Sequence, residues 1–219
     1  MMNYARLAFV FLSIPTIAQA QQGNPLQQAN DFYDQGNCVA AIPLFKHVAE
    51  DSSQSSDAHD QAMFREAYCH FTLGEFAEAE SAFRTFLSRY PDHAEARVRL
   101  AESLLFRQKY NDAITESERV PEGKYKTEAT ILQARALIEA SQPARALNAL
   151  KRIQSPESWA AVVSYWQGVS HFLMFESDQA EQDFIKAKEK SPEDLWVKSE
   201  AAGWLERIES RSEEHTSEL

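Results

Sequence analysis

The chain has 219 residues, 44% of them hydrophobic and 25% charged, enough to bury a sizeable core in a single domain. Its formal net charge is −11, and its lysines and arginines are interspersed among acids with no basic run, which excludes a surface built to track nucleic-acid phosphates. Nucleic acid is therefore not an expected partner.

Residues 1–20 carry Arg6, an apolar run from Leu7 to Leu12 extended by Ile14 and Ile17, and Ala18-Gln19-Ala20, three zones in the order of a secretory leader with a small-x-small cleavage site. The run is too short to span a bilayer. Residue 21 is Gln, not Cys, so the mature chain is expected to begin at Gln21 as a soluble exported protein, with no direct membrane insertion after cleavage.

From Gln22 to about Asp51 a first helical unit is expected, with a turn at Gly36 and Pro43 bending the start of its second helix. Asp51 to Ser56, DSSQSS, reads as a solvated loop. The best-punctuated unit runs from Asp60 to His93. In it, Gly74 breaks a helix, Ala79, Ala82, Phe83, Phe86 and Leu87 recur at three- and four-residue steps as one apolar stripe, and Pro91 stops the second helix. A third unit follows from Ala94 to about Glu122, with Leu100, Leu104 and Tyr110 packed inside. In the fourth, Ser141 and Pro143 are expected to form the cap and first turn of the second helix. Units three and four stop early, at Pro121 and Pro156. A fifth unit spans Ala161 to about Glu193, and one more helix is expected from Leu195 to Ile208.

These units share a register. The tight alanine of unit two, Ala79, recurs at Ala41, Ala113, Ala146 and Ala180, in steps of 38, 34, 33 and 34. A second small series passes through Ala29, Ala67, Ala101, Ala134, Gly168 and Ala202, and a bulky one through Phe45, Phe83, Leu150 and Phe184, with Ser117 its polar exception. Two small residues on facing helices let the pair approach closely, and the bulky residue fills the groove against the next pair. A period near 34 residues with Gly74, Phe76, Ala79, Phe83 and Pro91 at turn, aromatic, small, bulky and stop positions resembles the tetratricopeptide repeat. Met63 and Glu66 depart from it, standing where that family often has Trp and Leu. The resemblance implies an all-α, right-handed solenoid of about five stacked hairpins plus a C-terminal helix, residues 21–210.

Residues 211–219, RSEEHTSEL, match codon for codon the translation of a common short-read sequencing adapter, so this tail is expected not to be natural sequence and the gene to be truncated at or near Ser210. The last helix is then either the first half of a sixth unit or a natural cap, and the alternative to a free-standing scaffold is the adaptor portion of a larger envelope protein with a catalytic or membrane domain beyond Ser210.

Catalytic spacings are lacking. Gly168-Val169-Ser170-His171-Phe172 opens like a nucleophile elbow but lacks the second glycine and lies in a helical period. The histidines show no ligand spacing and there is no phosphate-cradling loop, so neither metal nor cofactor nor enzyme activity is expected. Cys38 and Cys69 fall on adjacent helices. A bridge would close a loop of about 31 residues and add roughly 3–4 kcal/mol; the alternative is two buried thiols.

The resemblance also implies that the first helix of each unit lines a concave face where a protein or peptide partner lies. On that face stand Leu26 and Tyr33, Phe64 and Phe71, Val98 and Leu105, Ile131 and Ile138, and Tyr165 and Phe172. Stacking alone accounts for their apolar character. The expected groove residues are Arg65, Tyr68, Arg99, Glu102, Arg135, Tyr165, Trp166 and Phe172. The expected function is a periplasmic, Gram-negative, non-enzymatic scaffold that holds an envelope or secreted protein.

Overall fold

The computed structural model describes residues 24–154, 157–192 and 195–217, with the side chains of 211–217 excepted. The leader 1–20, Pro156 and most of the 211–219 tail's detail lie outside the described residues. Among the described residues every regular element is a helix: α1 (Pro25–Asp34), α2 (Cys38–Glu50), α3 (Ser56–Thr72), α4 (Phe76–Arg89), α5 (Ala94–Phe106), α6 (Tyr110–Glu118), α7 (Lys126–Glu139), α8 (Pro143–Lys151), α9 (Glu157–Leu173), α10 (Ser177–Lys190) and α11 (Trp196–Ser217). None of them is long and apolar enough to cross a membrane. Several begin on a side-chain cap: Asn24 accepts from the Leu26 amide, Asn37 from Ala40, Ser55 from Ala58 and His93 from Ala96.

Five hairpins result, α1–α2 through α9–α10, followed by α11. The small series explains their tightness: Ala29, Ala41, Ala67, Ala79, Ala101, Ala113, Ala134, Ala146 and Ala180 are all essentially inaccessible to solvent. At Gly168 an added Cβ would sit 2.8 Å from the Phe184 ring, so only glycine lets α9 and α10 close to this distance. The series slips by one residue at its end, where Ala201 is buried and Ala202 only partly so. Phe45, Phe83, Leu150 and Phe184 fill the joints, and Ser117 is buried in the same register.

All five hairpin turns have one backbone form. In each, a residue with positive φ donates its amide three residues back and the next amide reaches five back, as with Gly74 to Phe71 (3.0 Å) and Glu75 to His70 (2.9 Å). Gly36 and Gly74 occupy this left-handed position in units one and two; Gln108, Ser141 and Phe175 occupy it in units three to five. Their steps of 34, 33 and 34 from Gly74 onward are those of the alanine series. Ser141 is therefore the left-handed residue that ends α7 and not a cap: Gln142 holds the cap position of α8, without a side-chain hydrogen bond, and Pro143 takes the first turn as expected. Pro43 lies inside α2, which continues through it; the carbonyl it leaves without an amide belongs to Val39, a residue exposed to solvent.

The backbones of successive first helices come close to one another, α1 to α3, α3 to α5, α5 to α7, α7 to α9 and α9 to α11, whereas among the described residues those of successive second helices do not, and Arg84 of α4 meets Asp112 of α6 only through the side-chain ends, 3.9 Å apart. The first helices are thus the inner, crowded layer of a curved stack, and the second helices the splayed outer layer. The buried residues form two clusters. A small N-terminal one joins Ala29, Cys38, Ala41, Phe45, Val48, Ala58, Ala62 and Cys69, and a large one runs from Ala67 to Ala201.

Candidate functional site

The ten apolar residues of the inner face serve chiefly to pack helices. Val98, Leu105, Ile131, Ile138 and Tyr165 are buried, and Leu26, Tyr33, Phe64, Phe71 and Phe172 are half-buried against the same cores. The residues beside them divide into two groups by what already satisfies them.

In the N-terminal half the polar side chains are occupied. Arg65 donates to Asn30 at 2.6 Å and stands over the Tyr33 ring at 5.0 Å. Tyr68 packs edge-on to Tyr33 and tilted against Phe64 and Phe71, all at 6.2 Å. Arg99 is clamped by Glu102 at 2.6 Å and by Glu128 of α7 at 2.7 Å. Burial alone would lower its pKa, yet Glu128 and Glu102 hold it above the ordinary value. Its charge is neutralised within the fold, and it ties α5 to α7. Arg99 and Tyr68 are therefore part of the stacking, contrary to the expectation that they stand apart from it.

The C-terminal half differs. Arg135 lies over the Trp166 ring at 5.4 Å, and no carboxylate among the described residues is within ion-pair distance of it. Trp166 is half-buried, and its indole nitrogen, though shielded from solvent, meets no acceptor among the described residues. Trp196 at the start of α11 stands 6.4 Å from Trp166 and is 48% exposed. Behind them Tyr165 is buried, which raises the pKa of its hydroxyl; that hydroxyl accepts from the Trp204 indole at 3.3 Å, and Phe172 meets Trp204 edge-on at 4.7 Å. Trp196 was not among the sequence-derived groove residues. Its place at the first turn of the last helix, one unit on from Val162 and so one turn before the register of Trp166, is the signal that could have found it.

The serine and histidines singled out in the sequence are engaged within the fold. Ser170 is buried inside α9 and donates to the Trp166 carbonyl at 2.8 Å. His70 and His171 each reach an acid five residues on, Glu75 at 2.6 Å and Glu176 at 3.6 Å, and His171 also meets Asp183 at 2.8 Å. These pairs fasten first helices to their turns. No group of metal-ligating side chains occurs among the described residues. A cleft of about 730 Å³, lined by Glu118, Lys126, Gln133 and Arg152, includes none of the inner-face residues.

A stack of helix hairpins with an inner layer of first helices and an open aromatic and cationic patch at one end defines a repeat scaffold for protein–protein interaction. Tetratricopeptide repeat profiles match residues 26–84 and 70–138, together just over half of the chain. The chain belongs to the tetratricopeptide repeat family. Similar solved structures include a tetratricopeptide repeat protein from Parabacteroides merdae ATCC 43184 (TM-score 0.73, 14% identity, 88% of this chain and 75% of that one). Residues 41 to the end of MamA from Desulfovibrio magneticus RS-1 are also similar (0.66, 17%, 77% and 96%). So is YrrB, a TPR protein with an unusual peptide-binding site (0.65, 17%, 82% and 90%). No curated protein matches the chain in sequence.

Proposed function

We propose that the chain is a periplasmic scaffold that receives a partner segment on the C-terminal half of its inner face. The segment would carry an apolar or aromatic side chain next to a carboxylate. The observation that carries this reading is the contrast between the two arginines: the terminal nitrogens of Arg99 are paired with Glu102 and Glu128, its Nε alone lacking a partner, while Arg135 spreads over Trp166 without a counter-ion among the described residues, beside the exposed Trp196. Tryptophan, tyrosine and arginine in a partly desolvated cluster are the side chains on which binding energy concentrates. A partner carboxylate would pair with Arg135, its apolar neighbour would cover Trp166 and Trp196, and a partner acceptor would satisfy the Trp166 indole. The compartment is supported by the leader-like residues 1–20. Enzyme activity forms no part of this reading.

Crosslinked pull-down from the exported fraction tests it with three baits. Arg135→Glu should lose the captured partner at unchanged helicity and melting. Arg99→Glu should instead lower the melting temperature, because Glu102 and Glu128 lose their shared cation. Equal capture by wild type and Arg135→Glu would place the binding surface elsewhere.

A further inference from the structure

Cys38 and Cys69 are the chain's two cysteines, and both are buried. Cys38 is the first residue of α2, and Cys69 lies three residues before the end of α3, the helix packed most closely on α2. They make up two of the eight buried residues of the N-terminal cluster, where both stand as free thiols. That cluster is separate from the main core, which begins at Ala67 of the same helix. The outermost hairpin is thus attached to the solenoid through a small core of its own, at the end where a repeat stack frays most readily.

We infer that Cys38 and Cys69 form a disulfide that fastens α2 of the first hairpin to α3 of the second, installed before these helices dock. This rests on the reading of the chain as exported, because the oxidant must be a protein disulfide of the kind that an oxidising compartment supplies. One cysteine thiolate attacks a sulfur of that disulfide, forming a mixed disulfide and releasing one thiol of the oxidant. The thiolate of the other cysteine then attacks the chain's own sulfur, forming the Cys38–Cys69 bond and releasing the second thiol. The chain loses two electrons and two protons, and the oxidant leaves as a dithiol.

The timing follows from burial. In the folded chain neither sulfur is open to a bulky oxidant, and burial, reinforced by the Cys38 contact, raises the Cys69 pKa so that its thiolate is scarce. A reversible sensor needs an exposed, readily ionised thiol; this pair has neither property, so it is a staple and not a switch.

The test uses the full chain reduced and unfolded, then refolded in a glutathione redox buffer beside a sample folded first and exposed to the same buffer afterwards. The expected result is a mass loss of two hydrogen atoms and no free thiol under denaturing, non-reducing conditions in the first sample, with much slower loss in the second. The bridged chain should melt about 5–10 °C above its reduced form. The Cys38→Ala/Cys69→Ala variant should melt like the reduced chain in either buffer. Two thiols surviving oxidative refolding, or a bridged chain less stable than the reduced one, would overturn the pairing. Equally fast oxidation of the folded sample would overturn the order of events. Thiols that bridge in vitro but are recovered reduced from cells would refute the export reading and leave the pairing intact.

Discussion

The joint between units two and three is held by charge, and the joint between unit five and α11 by aromatic rings. In the first, Glu80 is 2% exposed and is surrounded by Arg84 on its own helix, by Arg107, and by Lys109 at 2.9 and 3.0 Å from the next hairpin turn. Its register position carries Ile42, Ile114 and Leu147 in units one, three and four and the exposed Glu181 in unit five. In the second, Phe184 lies against Gly168, stacks on Trp204 with ring centroids 5.6 Å apart and 3° between planes, and meets Tyr165 edge-on. The hairpin geometry is the same, but the consequences of damage are not. An exposed arginine or lysine that loses its carboxylate can return to water, whereas a ring that loses its neighbour leaves a void.

The sharpest test of this contrast is Phe184→Ala, expected to cost about 3–5 kcal/mol through lost burial and a cavity beneath Trp204. All four tryptophans, Trp159, Trp166, Trp196 and Trp204, lie in the C-terminal part, so their fluorescence reports only that end while circular dichroism reports every helix. In urea the fluorescence transition should move well ahead of the dichroism transition. Coincident transitions would mean that the stack melts as one unit and that the two joints are not independent.

Glu80→Ala should cost less, about 2–3 kcal/mol. Removing one member of a buried ion cluster is strongly destabilising, but Arg84, Arg107 and Lys109 are each at least a third exposed and recover hydration. Here the dichroism should lead and the tryptophans lag. Glu80→Ile, which restores the apolar residue of units one, three and four, should recover part of the loss. If it is as damaging as alanine, the ion cluster and not the filled joint is what holds units two and three.

How much of this was legible follows from which interactions are local. The hairpins, their register and most of the small positions were readable because Ala41, Ala79, Ala113, Ala146 and Ala180 repeat a requirement of close packing that a single chain displays five times. The turns of units three to five were not, because Gln108, Ser141 and Phe175 have no intrinsic preference for the left-handed backbone; the fold imposes it on them. In sequence Glu80 is one more acid on a charged helix, since two of its three cations, Arg107 and Lys109, stand 27 and 29 residues away. The expected groove residues all stand on first helices, but Arg99 and Arg135 could not be told apart in sequence, because Glu128 of α7 reaches Arg99 of α5 from 29 residues away.

The turns give a smaller effect of opposite sign. Phe175 holds a positive φ of 62° and is 85% exposed, so its side chain neither prefers its backbone nor gains much from packing. Phe175→Gly should stabilise the C-terminal joint by about 0.5–1 kcal/mol, the relief of left-handed strain less the added freedom of the unfolded chain. The fluorescence transition should shift to higher urea and the dichroism of the N-terminal units stay put. A loss of stability would show that the ring packs on the turn more than its exposure indicates.

The smallest expected effect belongs to Glu66, on the N-terminal side of the charged joint, where the repeat usually has Leu. Burial raises its pKa above the ordinary 4.5, opposed by His70 and Lys46 and assisted by Glu50. A carboxyl whose folded pKa lies above its unfolded value favours folding while protonated, so this contribution is complete below about pH 4.5 and is lost as the pH rises through the folded pKa. Glu66→Gln, which keeps the shape and removes the ionisation, should therefore gain stability at pH 7 and match wild type at pH 4. The gain is a few tenths of a kcal/mol, because the partly exposed carboxylate retains some of its water. Melting curves of the two proteins at both pH values decide it: a gap that persists at pH 4 would assign the effect to packing, and no gap at pH 7 would mean that Lys46 and His70 already offset the burial.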